Sequence, residues 1–595
     1  MRRTDPWRAT ALTIAAAALI PVGAAKKKDV PDPKIEETVG TVANIIGNTI
    51  KVEGVGLVVG LDDTGSEPSA SWYTKKLTDE MLKAGVEHPD RLIQSKKSSV
   101  VIVRATIPAG VSTTDRFDVD IELPPASATT SLAGGWLINT QLAPMGQTKE
   151  GPKEGNALAS VYGPVMTGKA GAMDNARVGQ VLGGARVKAD APYGLSIKEA
   201  RRSGKTSKLL EAVIKQRFTQ TDASDNKGMT IAKTDGFLVL KVPKVYHHNQ
   251  TRYHQIIKLL PLVDNPSLRE ARLAAWGKEL LDPKTSGVAA LRLEGIGPNA
   301  LPMLKAGLDS PDWQVRFFSA EALAYLNNSD GVKVLVDTAK NHPEFRSFAL
   351  KSMAAMDQSA ALMGLRSLMG ESDFELRYGA FDALRTLDPY DPFLGARRLY
   401  DDPPVDEDDA DNMALQIAGR SARKKKTRAE EPFSLYVVDC EGPPMVHVSR
   451  NLRCEIVIFG RDQKLLTPVV LGSGGSILLN ASDGDDQVQL TKITSKSLDD
   501  PESKINCPLD LPEVIRQMAA LQSSYPEIVS ILMSASTQKN LAGPMVVDAV
   551  PLANKAYDEA QLLGVTKKDD QVEKASAEPE KKPSFLEKVR KRFGR

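Results

Sequence analysis

The sequence predicts an α+β protein in which β-rich domains are interrupted by an all-α block of helical repeats. The first observation is a set of β-branched apolar runs that end at tight turns, as at residues 55–66 and 100–108. The second is a helical pattern over residues 268–391 that repeats itself. The third is the return of short β-branched runs after residue 433. The order of these patterns places a helical insertion between two β-rich regions.

An export signal precedes the first domain. Three arginines among the first eight residues are followed by an apolar run over residues 9–22, and Val-Gly-Ala at residues 22–24 fits a small-residue cleavage site. This arrangement is typical of a secretory signal peptide, which we assign to residues 1–24. An N-terminal membrane anchor is the alternative, although the run is short for the roughly 20 residues of a span. We therefore expect an exported, periplasmic protein.

Length and charge set further bounds. The chain has 595 residues, which is too long for one hydrophobic core and predicts about three or four domains. Basic and acidic side chains nearly balance, 77 against 75, so the charge gives no indication of a nucleic-acid partner. We expect no nucleic acid among the partners.

Four segments of the first β-rich region carry a family resemblance. They read VGLVVGLDDTGS at residues 55–66, VVIVRATIP at 100–108, DRFDVDI at 115–121 and TSLAGGWL at 130–137. In this order they resemble the flagellar P-ring protein, whose pattern is roughly GLVVGLxGTGD, VVVTAxLPPFAxPGxxIDV and ATSLxGGTL. Asp63 stands where the family prefers Gly, and Ser66 stands where it prefers Asp.

The resemblance continues on both sides of the helical block. Residues 191–266 have the order helix, Asp-rich turn, strand and helix. Residues 433–551 end in two helices, the first of which opens with the capping pair Asp510 and Glu513, and resemble the C-terminal segment of the family. The resemblance therefore implies a P-ring fold into which the helical block is inserted.

The helical block repeats a single layout three times. Each copy has an apolar residue followed by an arginine, with small residues on one helix face; these arginines are Arg316, Arg346 and Arg377. Their spacing resembles short HEAT-type repeats, in which helix pairs stack because no pair can bury its apolar face alone. We expect each arginine to pair with an acidic residue of a neighbouring repeat rather than to bind a ligand.

These patterns divide the chain into seven segments. They are the signal peptide (1–24), a P-ring-like β-rich domain (35–190), a P-ring-like mixed α/β segment (191–266), HEAT-like repeats (267–400), a charged linker (401–431), a P-ring-like C-terminal α+β domain (432–551) and a tail (552–595). The tail is predicted to be disordered and to end in a short basic amphipathic helix over residues 584–595. This helix suits an anionic membrane surface or a partner groove, and weak docking on its own domain is the alternative.

Cysteine usage leaves two alternatives. An exported chain can form disulfides, and Cys440 and Cys454 stand at the end and the beginning of two predicted strands, so a bridge between them is one interpretation. The other is that these two and Cys507 are small buried thiols.

We find no residues arranged for catalysis, a cofactor or a metal. His247 and His248 are adjacent, and neighbours on a strand point to opposite faces, so they are not expected to share a metal ion. No Ser/His/Asp or Cys/His arrangement can be assembled. We therefore expect a protein that is not an enzyme and that needs no cofactor.

The resemblance implies a structural subunit of a periplasmic ring that surrounds the flagellar rod and acts as a bushing at the peptidoglycan. It implies a homo-oligomer whose partners are the rod, the L-ring and the peptidoglycan. We place the subunit contacts near the glycine-bearing loops of the first domain, at Gly56, Gly60, Thr64, Gly65, Ser131, Gly134 and Gly135. The alternative function is a non-flagellar periplasmic adaptor that uses the HEAT-like repeats to bind proteins.

Overall fold

The computed structural model describes residues 37–148, 151–167, 175–219, 228–400, 431–473, 477–493 and 504–551. The predicted signal peptide, the charged linker except for Glu431 and the whole tail (552–595) lie outside the described residues. Within the described ranges, no helix is both long and apolar enough to cross a membrane.

The N-terminal part of the fold ends at Leu259. Its elements are, in chain order, α1 (Val39–Val42), β1 (Ala43–Ile46), β2 (Ile50–Val59), α2 (Trp72–Lys83), α3 (Pro89–Ile93), β3 (Ser98–Ile107), β4 (Phe117–Glu122), β5 (Trp136–Leu142), β6 (Met145–Thr148), β7 (Gly151–Glu154), β8 (Ala159–Pro164), β9 (Met166–Thr167), β10 (Val178–Val187), β11 (Tyr193–Ile197), α4 (Gly204–Arg217), β12 (Thr230–Ala232), β13 (Phe237–Leu240) and α5 (Gln250–Leu259).

A closed antiparallel barrel dominates this part. Its strand order is β4-β3-β2-β5-β8-β10, and β10 pairs again with β4, with β9 added beside β10. Strand β4 alternates buried and half-buried residues, so that Phe117, Val119 and Ile121 point into the barrel core. Strand β2 is buried on both faces because α2 and α3 cover its outer side, where Leu57 packs with Leu77. This packing explains why β2 carries apolar residues on both of its faces.

A second, four-stranded sheet lies beside the barrel. Its order is β1-β11-β13-β12, and α1, α4 and α5 share its core. Ser203 caps α4 by accepting a hydrogen bond from the backbone N–H of Thr206, and Asn249 caps α5 in the same way. The two helices expected in residues 191–266 are therefore present.

The helical block runs from residue 266 to residue 387. Its helices are α6 (Pro266–Leu280), α7 (Ser286–Ile296), α8 (Leu301–Leu308), α9 (Trp313–Tyr325), α10 (Val332–Asn341), α11 (Pro343–Ala354), α12 (Ser359–Leu368) and α13 (Phe374–Leu387). They pack as successive antiparallel pairs around one continuous core.

The repeated arginines have one shared role and one that differs. Each donates to a carbonyl near the end of the preceding helix: Arg316 to Ser310 O, Arg346 to Ala339 O and Arg377 to Met369 O. These bonds satisfy carbonyls that a helix end leaves free. Arg346 also pairs with the carboxylate of Asp373 in the next repeat, as expected. Among the described residues, Arg316 and Arg377 donate to carbonyl or sulfur acceptors, so that expectation holds for one of the three.

The C-terminal part returns to β structure. Its elements are β14 (Ala396–Arg397), β15 (Ser434–Val438), β16 (Met445–Val448), β17 (Glu455–Phe459), β18 (Val469–Gly472), β19 (Ile477–Ala481), β20 (Gln487–Lys492), β21 (Lys504–Pro508), α14 (Leu511–Ala520), α15 (Tyr525–Thr537) and β22 (Met545–Val547). One sheet has the order β14-β15-β17-β16-β22, and the other has the order β18-β19-β20-β21. Asp510 caps α14 as predicted, accepting from the N–H of Glu513. The α+β class with a helical insertion is confirmed.

Of the two interpretations of the cysteines, the disulfide between Cys440 and Cys454 is wrong. Cys440 follows the C-terminal end of β15, and Cys454 precedes the N-terminal end of β17, while the two strands pair in parallel with Val438 opposite Phe459. The cysteines therefore lie at opposite ends of the strand pair, about 20 Å apart at 3.3 Å per residue. A disulfide needs a Cα separation of about 4.4–6.8 Å. All three cysteines are free thiols, with Cys507 buried and the others half-buried.

Candidate assembly site at the barrel rim

Two loops meet at one end of the barrel, and together they form what we call the barrel rim (residues 60–66 and 129–135). The first loop follows β2, and the second precedes β5. Because β2 and β5 are antiparallel neighbours, with Val59 opposite Trp136, the end of one strand lies beside the start of the other. The rim thus brings both predicted contact segments together.

Hydrogen bonds join the two loops directly. The Thr64 hydroxyl donates to the carbonyl of Ser131 at 2.9 Å, and the N–H of Thr130 donates to the carbonyl of Thr64 at 2.9 Å. Beneath them a row of hydroxyls runs from Ser66 through Thr129, with contacts of 2.9 and 2.7 Å. Its inner member is Ser99 on β3. The loops therefore form one cross-linked unit rather than two independent turns.

Arg177 holds the second loop from the far side. Its guanidinium donates to the carbonyls of Thr129 at 2.7 Å and Ser127 at 3.0 Å, and the N–H of Leu132 donates to Ala176 O at 2.8 Å. Sequence reasoning missed Arg177 because it lies outside the motifs, about 40 residues after the loop that it supports. A basic residue just before a barrel strand is too common a signal to single it out.

The five predicted glycines divide into two groups. Gly60 and Gly134 are exposed and have φ values of +80° and +73°, a region in which glycine is favoured. A Cβ built on Gly134 meets no atom within 4 Å. Gly56, Gly65 and Gly135 are enclosed instead; a Cβ on Gly56, for example, would lie 2.6 Å from Thr140 Oγ1. The enclosed three permit close packing within the chain, and Gly60 and Gly134 lie on the outer surface.

The two departures from the family pattern fit into the rim. Asp63 has a φ of +53°, which explains why glycine is preferred at this position. Aspartate is one of the residues that tolerate this conformation best. Ser66 uses its hydroxyl to contact Thr129. Both residues are therefore compatible with an ordered loop.

The exposed surface of the rim mixes charged and aromatic side chains. Asp62 and Asp63 are exposed on one loop, and Lys96 and Lys97, whose carbonyls accept from Gly65 and Leu61, are exposed beside it. Trp136 follows the second loop and is 40% exposed. Aromatic residues are enriched in protein interfaces, and charges of both signs orient a partner. This surface is suited to protein contact.

The histidines show no metal geometry. His247 Nε2 lies 2.8 Å from a carboxylate oxygen of Asp115. This contact joins the turn that follows β13 to the barrel. The neighbouring His248 is partly buried, which lowers its pKa. Among the described residues, no group of three His, Cys, Asp or Glu side chains is placed to hold a metal ion.

The comparisons with known proteins divide the chain in the same way as its fold. The flagellar P-ring protein family matches residues 39–260, and the HEAT repeat family matches residues 301–385. The flagellar P-ring protein of Helicobacter pylori (strain ATCC 700392 / 26695) is 24% identical over 167 residues, which are 28% of this chain and 45% of that protein. The flagellar P-ring protein of Albidiferax ferrireducens is 28% identical over 194 residues, 31% of this chain and 50% of that protein.

The chain thus spans about half the length of these relatives. Among solved structures, the complex of CpcE and CpcF of phycocyanin lyase from Nostoc sp. PCC7120 is 20% identical and covers 28% of this chain and 96% of that chain, with a TM-score of 0.17. That score is too low for a comparison of folds. Residues 39–260, which include the barrel and its rim, thus match the flagellar P-ring protein family, and we call them the P-ring domain after that match; residues 301–385 match HEAT repeats.

Proposed function

We propose that this protein is a structural subunit of a periplasmic ring that surrounds the flagellar rod and acts as a bushing at the peptidoglycan. The observation that carries the proposal is the P-ring family match over residues 39–260, which includes the whole closed barrel. The protein acts mechanically and is not an enzyme. Its partners are further copies of itself, the rod, the L-ring and the peptidoglycan.

A ring of identical subunits needs two different surfaces on each copy, because head-to-tail contacts close into a ring only when one patch meets another. We place one of these surfaces at the barrel rim. A hydrogen bond between Thr64 and Ser131 already holds its two loops together. Binding of a neighbouring copy therefore costs little additional conformational entropy. Because Gly60 and Gly134 carry no side chain, the backbone of a second copy can approach the outer surface of the rim closely.

Export to the periplasm is part of the proposal and rests on residues 1–24, which have the pattern of a signal peptide. A contact of residues 584–595 with a membrane surface also remains a proposal, supported by their basic amphipathic pattern.

Cell fractionation tests this function. A chain tagged at its C-terminus should begin after residue 24 in its mature form and should co-purify with basal bodies from the source cell. Recovery of the mature chain only in the soluble periplasmic fraction, with basal bodies that lack it, would contradict the ring assignment.

A further inference from the structure

The two helices of each pair in the helical block have different surroundings. The first helices, α6, α8, α10 and α12, each keep an exposed face; we call these the outer helices. The second helices, α7, α9, α11 and α13, are the inner helices. Residues 317–325 of α9 and 376–381 of α13 are buried without a break. Something other than the outer helices must therefore cover the inner face.

Part of the inner face is covered by the P-ring domain. Arg252 on α5 is buried between two carboxylates, at 2.6 Å from Glu294 on α7 and 2.6 Å from Glu321 on α9. Tyr246 donates its hydroxyl proton to Glu294 at 2.7 Å. Asn249 at the N-cap of α5 donates to the Tyr325 hydroxyl at 3.0 Å. This ion-paired arginine holds α5 against the first two inner helices. Breaking the ion pairs would leave buried charges without a counter-charge, which is costly.

The other end of the block is covered by the C-terminal domain (residues 431–551). Arg385 on α13 forms a buried ion pair with Glu455 on β17, and Tyr378 donates to the same carboxylate at 2.5 Å. The last repeated arginine, Arg377, donates to the carbonyl of Pro443 and lies 3.3 Å from Cys440 Sγ.

This last contact matches the repeat pattern. One repeat earlier, Arg346 donates at 3.0 Å to Asp373, the N-cap of the next inner helix. The loop over residues 440–443 thus takes the position that the next repeat would occupy. Terminal repeats of a stack need such a cap because their outer apolar face has no neighbour.

A short segment that follows β22 packs on the last inner helix, α13. Ala549 and Pro551 are buried, while Val550 between them is exposed. The N–H of Ala549 donates to Nε2 of His447 at 3.1 Å, and the ring of His447 stacks on Tyr378 of α13. Pro551 packs on Gly379, where an added Cβ would come within 2.6 Å of its ring. This alternation resembles a bound peptide, supplied here by the same chain.

We propose that the binding partner of the HEAT repeats is this chain itself. The inner helices act as an internal brace that holds α5 at one end and the C-terminal domain, including its residues 548–551, at the other. A second protein is then left with the outer helices only. The brace also sets the orientation of the C-terminal domain relative to the P-ring domain, whatever larger assembly the chain enters.

A cut in the linker tests the brace in the full mature chain. A protease site is introduced within residues 401–430, and the folded protein is cleaved and passed over a sizing column. The brace predicts that the two fragments elute together at the volume of the uncut protein. Separation of the fragments without denaturant would overturn the proposal.

Variants assign the association to the inner face. Arg385→Met strands the buried Glu455 carboxylate and should raise the dissociation constant of the cut fragments by at least about tenfold. Arg377→Met leaves only neutral acceptors behind and serves as the second variant if the first fails to fold. Arg366→Met is the matched control, because its partner Asp391 belongs to the same fragment.

If both inner-face variants bind as tightly as the control, other contacts hold the fragments and the brace is wrong.

Discussion

Thr64 and Ser131 lie 67 positions apart in the sequence, yet a 2.9 Å hydrogen bond from the Thr64 hydroxyl to the Ser131 carbonyl joins them at the barrel rim. The bond exists because β2 and β5 pair side by side and bring the end of one strand to the start of the other. It makes the two loops that carry the family resemblance parts of one surface.

Thr64→Val removes this bond while keeping the size of the side chain. We expect the loss of about 1 kcal/mol of local stability, since a neutral hydrogen bond contributes that much on balance. Hydrogen exchange measured by mass spectrometry should therefore speed up about fivefold in peptides covering the rim. Thr537→Val is the control, because the Thr537 hydroxyl forms its hydrogen bond within α15, away from the rim. In this variant, hydrogen exchange in the rim peptides should not change. Equal exchange in wild type and Thr64→Val would argue that the bond does not hold the loops.

Gly134→Arg tests whether the rim is a subunit contact. The side chain would project from an open, exposed position and block a neighbour, so incorporation into basal bodies should fall about tenfold or more, as quantified by immunoblot. The strain of a positive φ needs its own control. Gly484→Arg has the same strain, with a φ of +85° and open space, on the C-terminal domain. Loss of assembly in both variants would point to misfolding, and loss in neither would remove the rim from the interface.

Arg252→Met should be far more destabilising than the loss of a surface ion pair. Its removal leaves the buried carboxylates of Glu294 and Glu321 without the guanidinium that neutralises them, at a cost of about 3–5 kcal/mol. Urea unfolding measures the change. Arg201→Met is the matched control, because Arg201 and Glu37 are both more than half exposed, and its effect should stay below about 1 kcal/mol. Similar losses in the two variants would mean that the buried carboxylates find other partners.

The stability of the protein should fall as the pH drops below about 6.5. Burial lowers the pKa of His447 to about 3 and that of His254 to about 4. The unfolded chain binds protons near the ordinary value of 6.5, whereas the folded chain does not, so stability is complete above that pH and declines toward pH 4. Each histidine contributes a slope of up to about 1.4 kcal/mol per pH unit.

Urea unfolding at a series of pH values measures this slope. His447→Gln removes one titrating group whose pKa is lowered by burial and should make the slope shallower. A slope that is unchanged in His447→Gln would exclude this histidine as a cause of acid sensitivity.

The elements that short sequence patterns specify were predicted correctly. The cap at Asp510, the helices of the repeats and the strand Met445–Val448 follow from short-range rules of capping and periodicity. The sequence also placed Gly60, Thr64, Ser131 and Gly134 in one functional group, although only through a family resemblance.

Long-range relationships were not accessible in this way. Closure of the barrel through β10 and β4 depends on pairing between Val181 and Val119, which nothing in either strand specifies by itself. The parallel pairing of β15 with β17 is also non-local, and it is the reason why Cys440 and Cys454 lie apart. The support that Arg177 gives to the rim, and the burial of Arg252 in the helical block, likewise depend on how distant segments pack.

Electron cryomicroscopy of basal bodies purified from the source cell tests the proposal that this chain forms a ring around the rod. We expect a periplasmic ring whose density accommodates the barrel of the P-ring domain, with one additional helical density per subunit for the HEAT repeats. Basal bodies whose ring density has no place for these helices, together with a purified mature chain that remains a monodisperse monomer, would contradict it.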